Sequence, residues 1–477
     1  MKHYDCIAIG TGSAMSVVEA LMNSDPEIKA AVVDKDEPGG ICLTRACIPS
    51  KLLVYPAEMV RYIEEAAMQG IRVDITSVDF RFIMERMRSI ISKTSKEIEQ
   101  SLRSGPFDYY GEVAEFTGPY TMRVGKEEIS ADMILLCPGS RPAIPEIPGL
   151  EKSGYLTSDT LLGLKDLPKS LVILGGGYVA AEYGHFFSAM GSVVTILGRN
   201  PQFLPGEEPE VAAVALKEMS EYMDIITNHE VFEVSTEKEG GVLVRFRSRE
   251  TGLEKEVTAE KLLVAAGRAS NADILRTDRA GILTDSEGWL VVNDYLETSV
   301  KNIWGFGDAT GRHLFKHVAN YESRVVYANA VLKRPVTVDY HAVPHAVFAY
   351  PEIASVGVKE SEAVSSFGEE EILVGFKLFA QTARGEAMGL RNCFVKVILE
   401  ETTGKILGAH IIGPQASILI QEIINLMYTQ DQTPAPIYQG MHIHPSLSEV
   451  VQRSFNNLMT HGDYQHMLSH QFPELFD

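Results

Sequence analysis

Short apolar runs separated by glycine turns and helical stretches set the pattern of the first two hundred residues. Residues 4–9 read as a buried strand, 16–22 as a helix and 30–33 as a second buried strand. Gly10-Thr11-Gly12-Ser13-Ala14-Met15 joins the first strand to the helix, and the second strand ends on Asp34. Strand, glycine turn, helix, strand and acid together form the fingerprint of a dinucleotide site. Gly10 and Gly12 let the backbone approach a pyrophosphate at the helix N-terminus, and Asp34 would bind ribose hydroxyls. Met15 stands where that pattern has its third glycine.

Residues 52–69 and 80–103 read as amphipathic helices. Strands follow, and residues 133–136 run into Cys137-Pro138-Gly139-Ser140-Arg141. Three prolines within 142–149 mark a boundary. The opening pattern then recurs. Residues 170–174 form a strand, Gly175-Gly176-Gly177-Tyr178-Val179-Ala180 the turn, 181–190 a helix and 193–197 the next strand. Two such units imply two dinucleotides. The second lacks the acid and carries Gly198-Arg199 instead, which favours a 2′-phosphate and hence NADPH over NADH. Residues 262–268 form an apolar run ending in Gly267-Arg268, and residues 302–309 a second that sets Asp308 where a bound cofactor's sugar could lie. From about residue 336 the composition shifts, with a strand at 394–399 and a helix at 417–428. The pattern predicts an α/β chain with two Rossmann-like dinucleotide-binding domains and an α+β C-terminal domain. The expected boundaries are 1–145, 146–266, 267–335 (a return to the first domain) and 336–477.

Composition narrows the function. The 477 residues are 45% hydrophobic and 22% charged, enough for two or three domains with real cores. A net charge of -21 argues against nucleic acid and acidic membrane surfaces as partners. No targeting pattern and no apolar stretch near the length of a membrane span is found, so a cytoplasmic protein is expected. Five cysteines are too few for a secreted disulfide scaffold of this size. In a reducing compartment a disulfide is more often catalytic than structural.

Two stretches carry candidate chemistry. In Gly39-Gly40-Ile41-Cys42-Leu43-Thr44-Arg45-Ala46-Cys47-Ile48-Pro49-Ser50-Lys51, both cysteines fall on the first turns of a helix, where the dipole lowers thiol pKa. Residues five apart in a regular helix face apart, too far for an unstrained S–S bond. Pro49 lacks the N–H that would bond back to Arg45. A distorted first turn and a Cys42–Cys47 disulfide are therefore expected; the bland alternative is two small buried hydrophobes. The second stretch is Met441-His442-Ile443-His444-Pro445-Ser446-Leu447-Ser448-Glu449. Pro445 favours an extended His444, and Glu449, about one helical turn on, can orient its imidazole as a general acid/base. His442 and His444 have no third ligand at suitable spacing, so no metal is expected.

Together these motifs resemble one family, the class I flavin-dependent pyridine nucleotide–disulfide oxidoreductases, over nearly the whole chain. The resemblance rests on the two glycine turns, C-x4-C-I-P-S-K, A-x-G-R, G-D-A and H-P-x-L-x-E. It implies one FAD per subunit, held by Gly10, Gly12, Ser13, Ala14, Asp34, Lys35, Gly40, Ile41, Lys51, Gly139, Ser140, Arg268 and Asp308. Gly175, Gly177, Tyr178, Arg199 and Gly267 would hold NADPH or NADH, with Tyr178 as an aromatic gate over the nicotinamide. Cys47 would face the flavin and Cys42 would attack the disulfide. Lys51 and Glu182 would form a buried pair. His444 and Glu449 would come from the other subunit of a homodimer built by the C-terminal dimerisation domain. Cys137 is read as packing. Arg45 could depress a thiol pKa, meet an anionic substrate or, the preferred reading, point to solvent. The tail from 456 extends past the family's usual end, with docking on the partner as the default. The implied activity is dihydrolipoyl dehydrogenase-like, with a possible 2-oxoacid dehydrogenase complex as partner. The alternatives are NADPH-driven reduction of another small disulfide, as in mycothione reductases, or a transhydrogenase or oxidase with idle cysteines.

Overall fold

A computed structural model describes residues 1–237, 240–471 and 473. Lys2–Ile9 pairs in parallel with Ala30–Val33 on one side and Glu127–Leu136 on the other. Asp108–Tyr110 extends that sheet at one edge and Ala114–Gly118 with Thr121–Val124 at the other, while Ile303–Gly305 adds to Glu127–Leu136. The central strand Ala30–Val33 is buried on both faces, as its unbroken apolar run requires. The late strand Ile303–Gly305 brings the Gly307-Asp308 turn back to the C-terminal ends of the early strands, where open α/β sheets bind ligands.

The cysteine segment is a helix in two pieces. Gly40–Thr44 and Cys47–Glu65 are separated by Arg45 (φ -142°, ψ -9°) and Ala46 (φ -125°, ψ -98°), both outside helical geometry. The expected distortion therefore lies between the cysteines. Pro49 does not cause it, since it sits buried inside the second helix, where a missing N–H costs little. Cys47 becomes the first residue of the long helix.

The second dinucleotide unit is a parallel sheet ordered Asp224–Ile226, Val193–Leu197, Ser170–Leu174, Lys261–Val264, Leu156–Thr157. The helix Tyr178–Met190 is buried at almost every position, packed between this sheet and the Cys47–Glu65 helix. The C-terminal domain is an antiparallel sheet running Pro344–Val347, Ile353–Gly357, Ile406–Ile412, Phe394–Glu400, Ile372–Leu378, Leu458–Thr460.

That last strand belongs to the tail, which docks on its own chain. Leu458–Thr460 pairs with Ile372–Leu378, and the helix His461–Gln471 lays Tyr464 into the core with none of its surface exposed. Residues 472 and 474–477 of the tail lie outside the described residues. The Tyr464 hydroxyl donates to Glu210 at 2.7 Å, and the His461 ring lies 2.6 Å from Glu360. These acids surround Lys396, whose fully buried ammonium lies 3.3 Å from Glu208, 2.5 Å from Glu210, and against Glu360. Glu208, Glu210 and Glu360 are close enough together to suit a metal ion, but the lysine occupies that place. Burial pushes Glu208 up to about 7, so the cluster retains a proton near neutrality and offsets part of its excess negative charge. Among the described residues no helix is long and apolar enough to cross a membrane.

Candidate active site

One cavity of about 730 Å³ joins the first glycine turn, the cysteine segment, the start of the Tyr178–Met190 helix, the Asp308 turn and residues 344–348. Gly10 has φ +98°, and a Cβ there would meet the Cys137 carbonyl at 2.2 Å. Gly40 has φ +75°, and its Cβ would lie 2.8 Å from the Gly12 Cα. The two glycine backbones thus stack in van der Waals contact, and only glycine allows it. Asp34 accepts from the Thr11 N–H at 2.8 Å and the Thr11 hydroxyl at 2.6 Å, and its other oxygen accepts from the Asp36 N–H. The acid expected to meet a ribose therefore also braces the turn itself. Gly12, Ser13, Lys35, Ile41, Gly139 and Arg268 border the same cavity. Ala14 is buried beneath it.

Ser140 plays a different part from the one expected. It is buried outside the cavity, where its hydroxyl donates to Asp308 at 2.6 Å and accepts from Arg268 Nε at 2.6 Å. It fixes two residues that do face the cavity. Three further contributors carried no short-range signal. Lys316 Nζ donates to Ser13 Oγ at 2.8 Å, and Ser13 donates to Asn320 at 2.9 Å. Glu322, wholly buried, accepts the Gly307 N–H at 2.6 Å and the Tyr340 hydroxyl at 2.6 Å, which fixes the turn carrying Asp308.

Cys42 and Cys47 both border the cavity, and no disulfide joins them in this structure. The Cys42 thiol hydrogen-bonds to Cys47. That bond lowers Cys47 to about 7 against the opposing effect of burial, with further help from Lys51. The same bond and burial raise Cys42. The helix N-terminus at Cys47 acts in the same direction as the hydrogen bond. Lys51 Nζ lies 2.7 and 2.8 Å from the two oxygens of Glu182, and 4.4 Å above the Phe348 ring. Glu182 is buried and also accepts the Phe348 N–H at 3.1 Å. Arg45 does not point freely to solvent. It pairs with Asp36 at 2.8 Å on the cavity wall. Cys137 is packed, and burial pushes its thiol up to about 12.

Other expected residues stand apart from the cavity. Gly175 turns as Gly10 does, with φ +129° and a Cβ that would meet the Ala265 carbonyl at 2.2 Å, but it, Gly177 and Gly267 open on another surface. Arg199 is 71% exposed, 3.9 Å from Glu230. Of that second set, only Tyr178 reaches the cavity. His444 lies 3.0 Å from Glu449, which also accepts the Ser446 N–H at 3.1 Å and Arg453 at 2.8 Å. These contacts, His444 first, hold the Glu449 carboxyl below the usual range. The His444 side chain is 66% exposed and does not border its own chain's cavity.

Residues 4–328 match the family described as pyridine nucleotide-disulphide oxidoreductase, and residues 343–455 match that family's dimerisation domain. The chain belongs to the pyridine nucleotide-disulphide oxidoreductases. It is 35% identical to mycothione reductase of Mycobacterium tuberculosis over 96% of this chain and 100% of that one. It is 32% identical to dihydrolipoyl dehydrogenase of Chlamydia trachomatis over 94% of this chain and 95% of that one. A solved HOCl-induced flavoprotein disulfide reductase, RclA of Escherichia coli, in a Cu(II) complex, superposes with a TM-score of 0.83 at 27% identity, covering 96% of this chain and 99% of that one. Members of this pyridine nucleotide-disulphide oxidoreductase family are flavoproteins that use FAD and NAD(P)H, and the dimerisation domain supports a homodimer. The glycine cradle that a Cβ at Gly10 or Gly40 would fill suits the FAD pyrophosphate.

Proposed function

We propose that this flavoprotein disulfide oxidoreductase is an NADPH-driven reductase of a low-molecular-weight disulfide, with Cys42 and Cys47 as its redox pair. The observation that carries the reading is the assembly of Cys42, Cys47, Tyr178 and the Lys51–Glu182 pair on one cavity, with Cys47 as the first residue of a helix, where a thiolate is favoured. Gly198-Arg199 in place of an acid, and Tyr178 at the head of its helix, favour NADPH and a reductase over the dehydrogenase reading.

FAD, when bound, supplies the two-electron link between the nicotinamide and the cysteine pair. In the reduced pair, Cys42 is the attacking sulfur and must lose its proton first. The partner subunit's His444, oriented by Glu449, takes that proton. Cys42 then bonds to one sulfur of the substrate disulfide, and the His444 proton passes to the departing thiolate. The Cys47 thiolate attacks Cys42 Sγ, which releases the second substrate sulfur as a thiolate that takes its proton from solvent, and forms the Cys42–Cys47 disulfide. Lys51 stabilises the Cys47 thiolate, and Glu182 balances the lysine.

A second reading is dihydrolipoyl dehydrogenation, running the same steps in reverse on a dihydrolipoyl group of a 2-oxoacid dehydrogenase complex. The stretch from His442 to Glu449 and the 32% relative support it. Steady-state kinetics with NADPH and NADH against glutathione disulfide, lipoamide and other small disulfides separate the two. A clear preference for NADPH and a non-lipoyl disulfide is expected. NAD-linked oxidation of dihydrolipoamide as the dominant activity would replace this reading with the second. Disulfide turnover that survives Cys42→Ser would sink both.

A further inference from the structure

The cavity wall beside Tyr178 is a row of aromatic rings. The Phe315 ring lies 6.5 Å from Tyr178 at a tilt of 42°. Phe315 itself is nearly parallel to two imidazoles, His317 at 5.4 Å and 9° and His345 at 5.8 Å and 6°. Each imidazole is tied down. His317 Nε2 lies 2.8 Å from the Pro344 carbonyl, and His345 Nε2 lies 2.6 Å from Glu207. Glu207 is 4% exposed, does not reach the cavity, and accepts the Ser355 hydroxyl on its other oxygen at 2.7 Å. A buried carboxylate with both oxygens engaged fixes a ring plane and has no direct access to a ligand. The pieces come from distant parts of the chain. Glu207 precedes the helix Pro209–Met219, Phe315 precedes the helix Lys316–Val326, and His345 lies on the strand Pro344–Val347. Ordinary packing of three aromatic rings would not require a buried carboxylate to set one of them.

We propose that His345 is a positioning residue for the nicotinamide: with His317 it fixes the plane of Phe315, the ring against which Tyr178 packs. This rests on the reading of Tyr178 as the cover of the nicotinamide. With Phe315 held, Tyr178 has one defined resting position. With His345 removed, Phe315 is free to turn, and the nicotinamide is no longer presented in one geometry for transfer.

The test compares FAD-loaded dimers of His345→Ala, His345→Phe and Tyr178→Ala. The measurements are the KM for NADPH, the stopped-flow rate of reduction by NADPH, and the rate at which the prereduced enzyme reduces a small disulfide. His345→Ala is expected to slow reduction by NADPH, or raise its KM, about tenfold, the size a stacked pair of rings carries. It should leave the disulfide step within about twofold of the wild type, as expected for a site that does not touch the cysteines. His345→Phe, which keeps a ring on Phe315 but loses the Glu207 contact, should recover part of the loss. Equal losses in both half-reactions, or no recovery in His345→Phe, would reduce His345 to a structural residue. If Tyr178→Ala changes the NADPH step and His345→Ala does not, only this inference fails. If Tyr178→Ala leaves that step unchanged, the reading of Tyr178 fails and takes this inference with it.

Discussion

The two glycine turns begin alike and end differently. Gly10 and Gly175 both adopt positive φ, and a Cβ on either would strike a carbonyl of a neighbouring strand end at 2.2 Å. The first turn is then roofed over. Gly40 rests on Gly12, the Gly39 N–H donates to Thr11, and Lys316 reaches Ser13. The second is covered less. A Cβ on Gly176 would meet the Gly198 Cα at 3.3 Å, but one on Gly177 would meet nothing within 4 Å among the described residues, and Arg199 stands in solvent. The same local sequence logic therefore serves two ends. A roofed turn suits a cofactor that stays, and an open one suits a cofactor that must leave on every cycle. The roof is the cysteine segment, so in the proposed reading the residues that would retain FAD are continuous with those that would pass electrons from it.

Breaking the roof should have the largest effect. Gly40→Val puts a branched side chain at φ +75° against the Gly12 backbone. FAD affinity should fall on the order of a hundredfold, measured as FAD retained after dialysis. Gly177→Ala, at φ -94° and facing open space, should leave FAD content unchanged and shift the KM for NADPH by less than about threefold. Equal FAD loss in the two variants would erase the distinction between the turns. Next in size is His444→Gln. Loss of a general acid/base should slow the disulfide step by about 10²–10³-fold while reduction by NADPH is preserved. A loss in the NADPH step instead would move His444 to the other half of the cycle.

Much of this was legible in the chain because it is local. Strands at 30–33, 170–174 and 193–197 are largely apolar runs with glycine or acid just past their ends, and the structure has them at those positions. What could not be read is what long-range contact decides. The break at Arg45-Ala46 looked like the work of Pro49, since sequence shows a missing N–H but not where the neighbouring segment pulls the backbone. Lys316, Asn320 and Glu322 reach the site only because their helix docks beside the first glycine turn, some three hundred residues away in sequence. Lys396 and its three acids share no motif, and the tail that covers them could not be assigned to its own chain from composition alone.

Two smaller effects sharpen the comparison. Cys47 belongs to the roof, and its thiolate is the reactive form. Alkylation of the prereduced enzyme should therefore rise with pH through about 7 and fall away below it. Lys51→Met should move that inflection upward, because the cation that favours the thiolate is gone. An unmoved inflection would leave the Cys42 hydrogen bond and the helix N-terminus as the causes. At the open turn, Arg199→Ala should raise the KM for NADPH about tenfold and leave NADH unaffected, the range of one exposed charge-assisted contact. Equal effects on both nucleotides would remove the 2′-phosphate from the argument.

The most direct test of the cysteine relay is an anaerobic reductive titration of the FAD-loaded enzyme beside its Cys42→Ser variant. The wild type should take up about four electrons per FAD, two of them stored in the dithiol, and the variant about two. Uptake of about two electrons by the wild type would mean that Cys42 and Cys47 stand idle, and the account would be wrong.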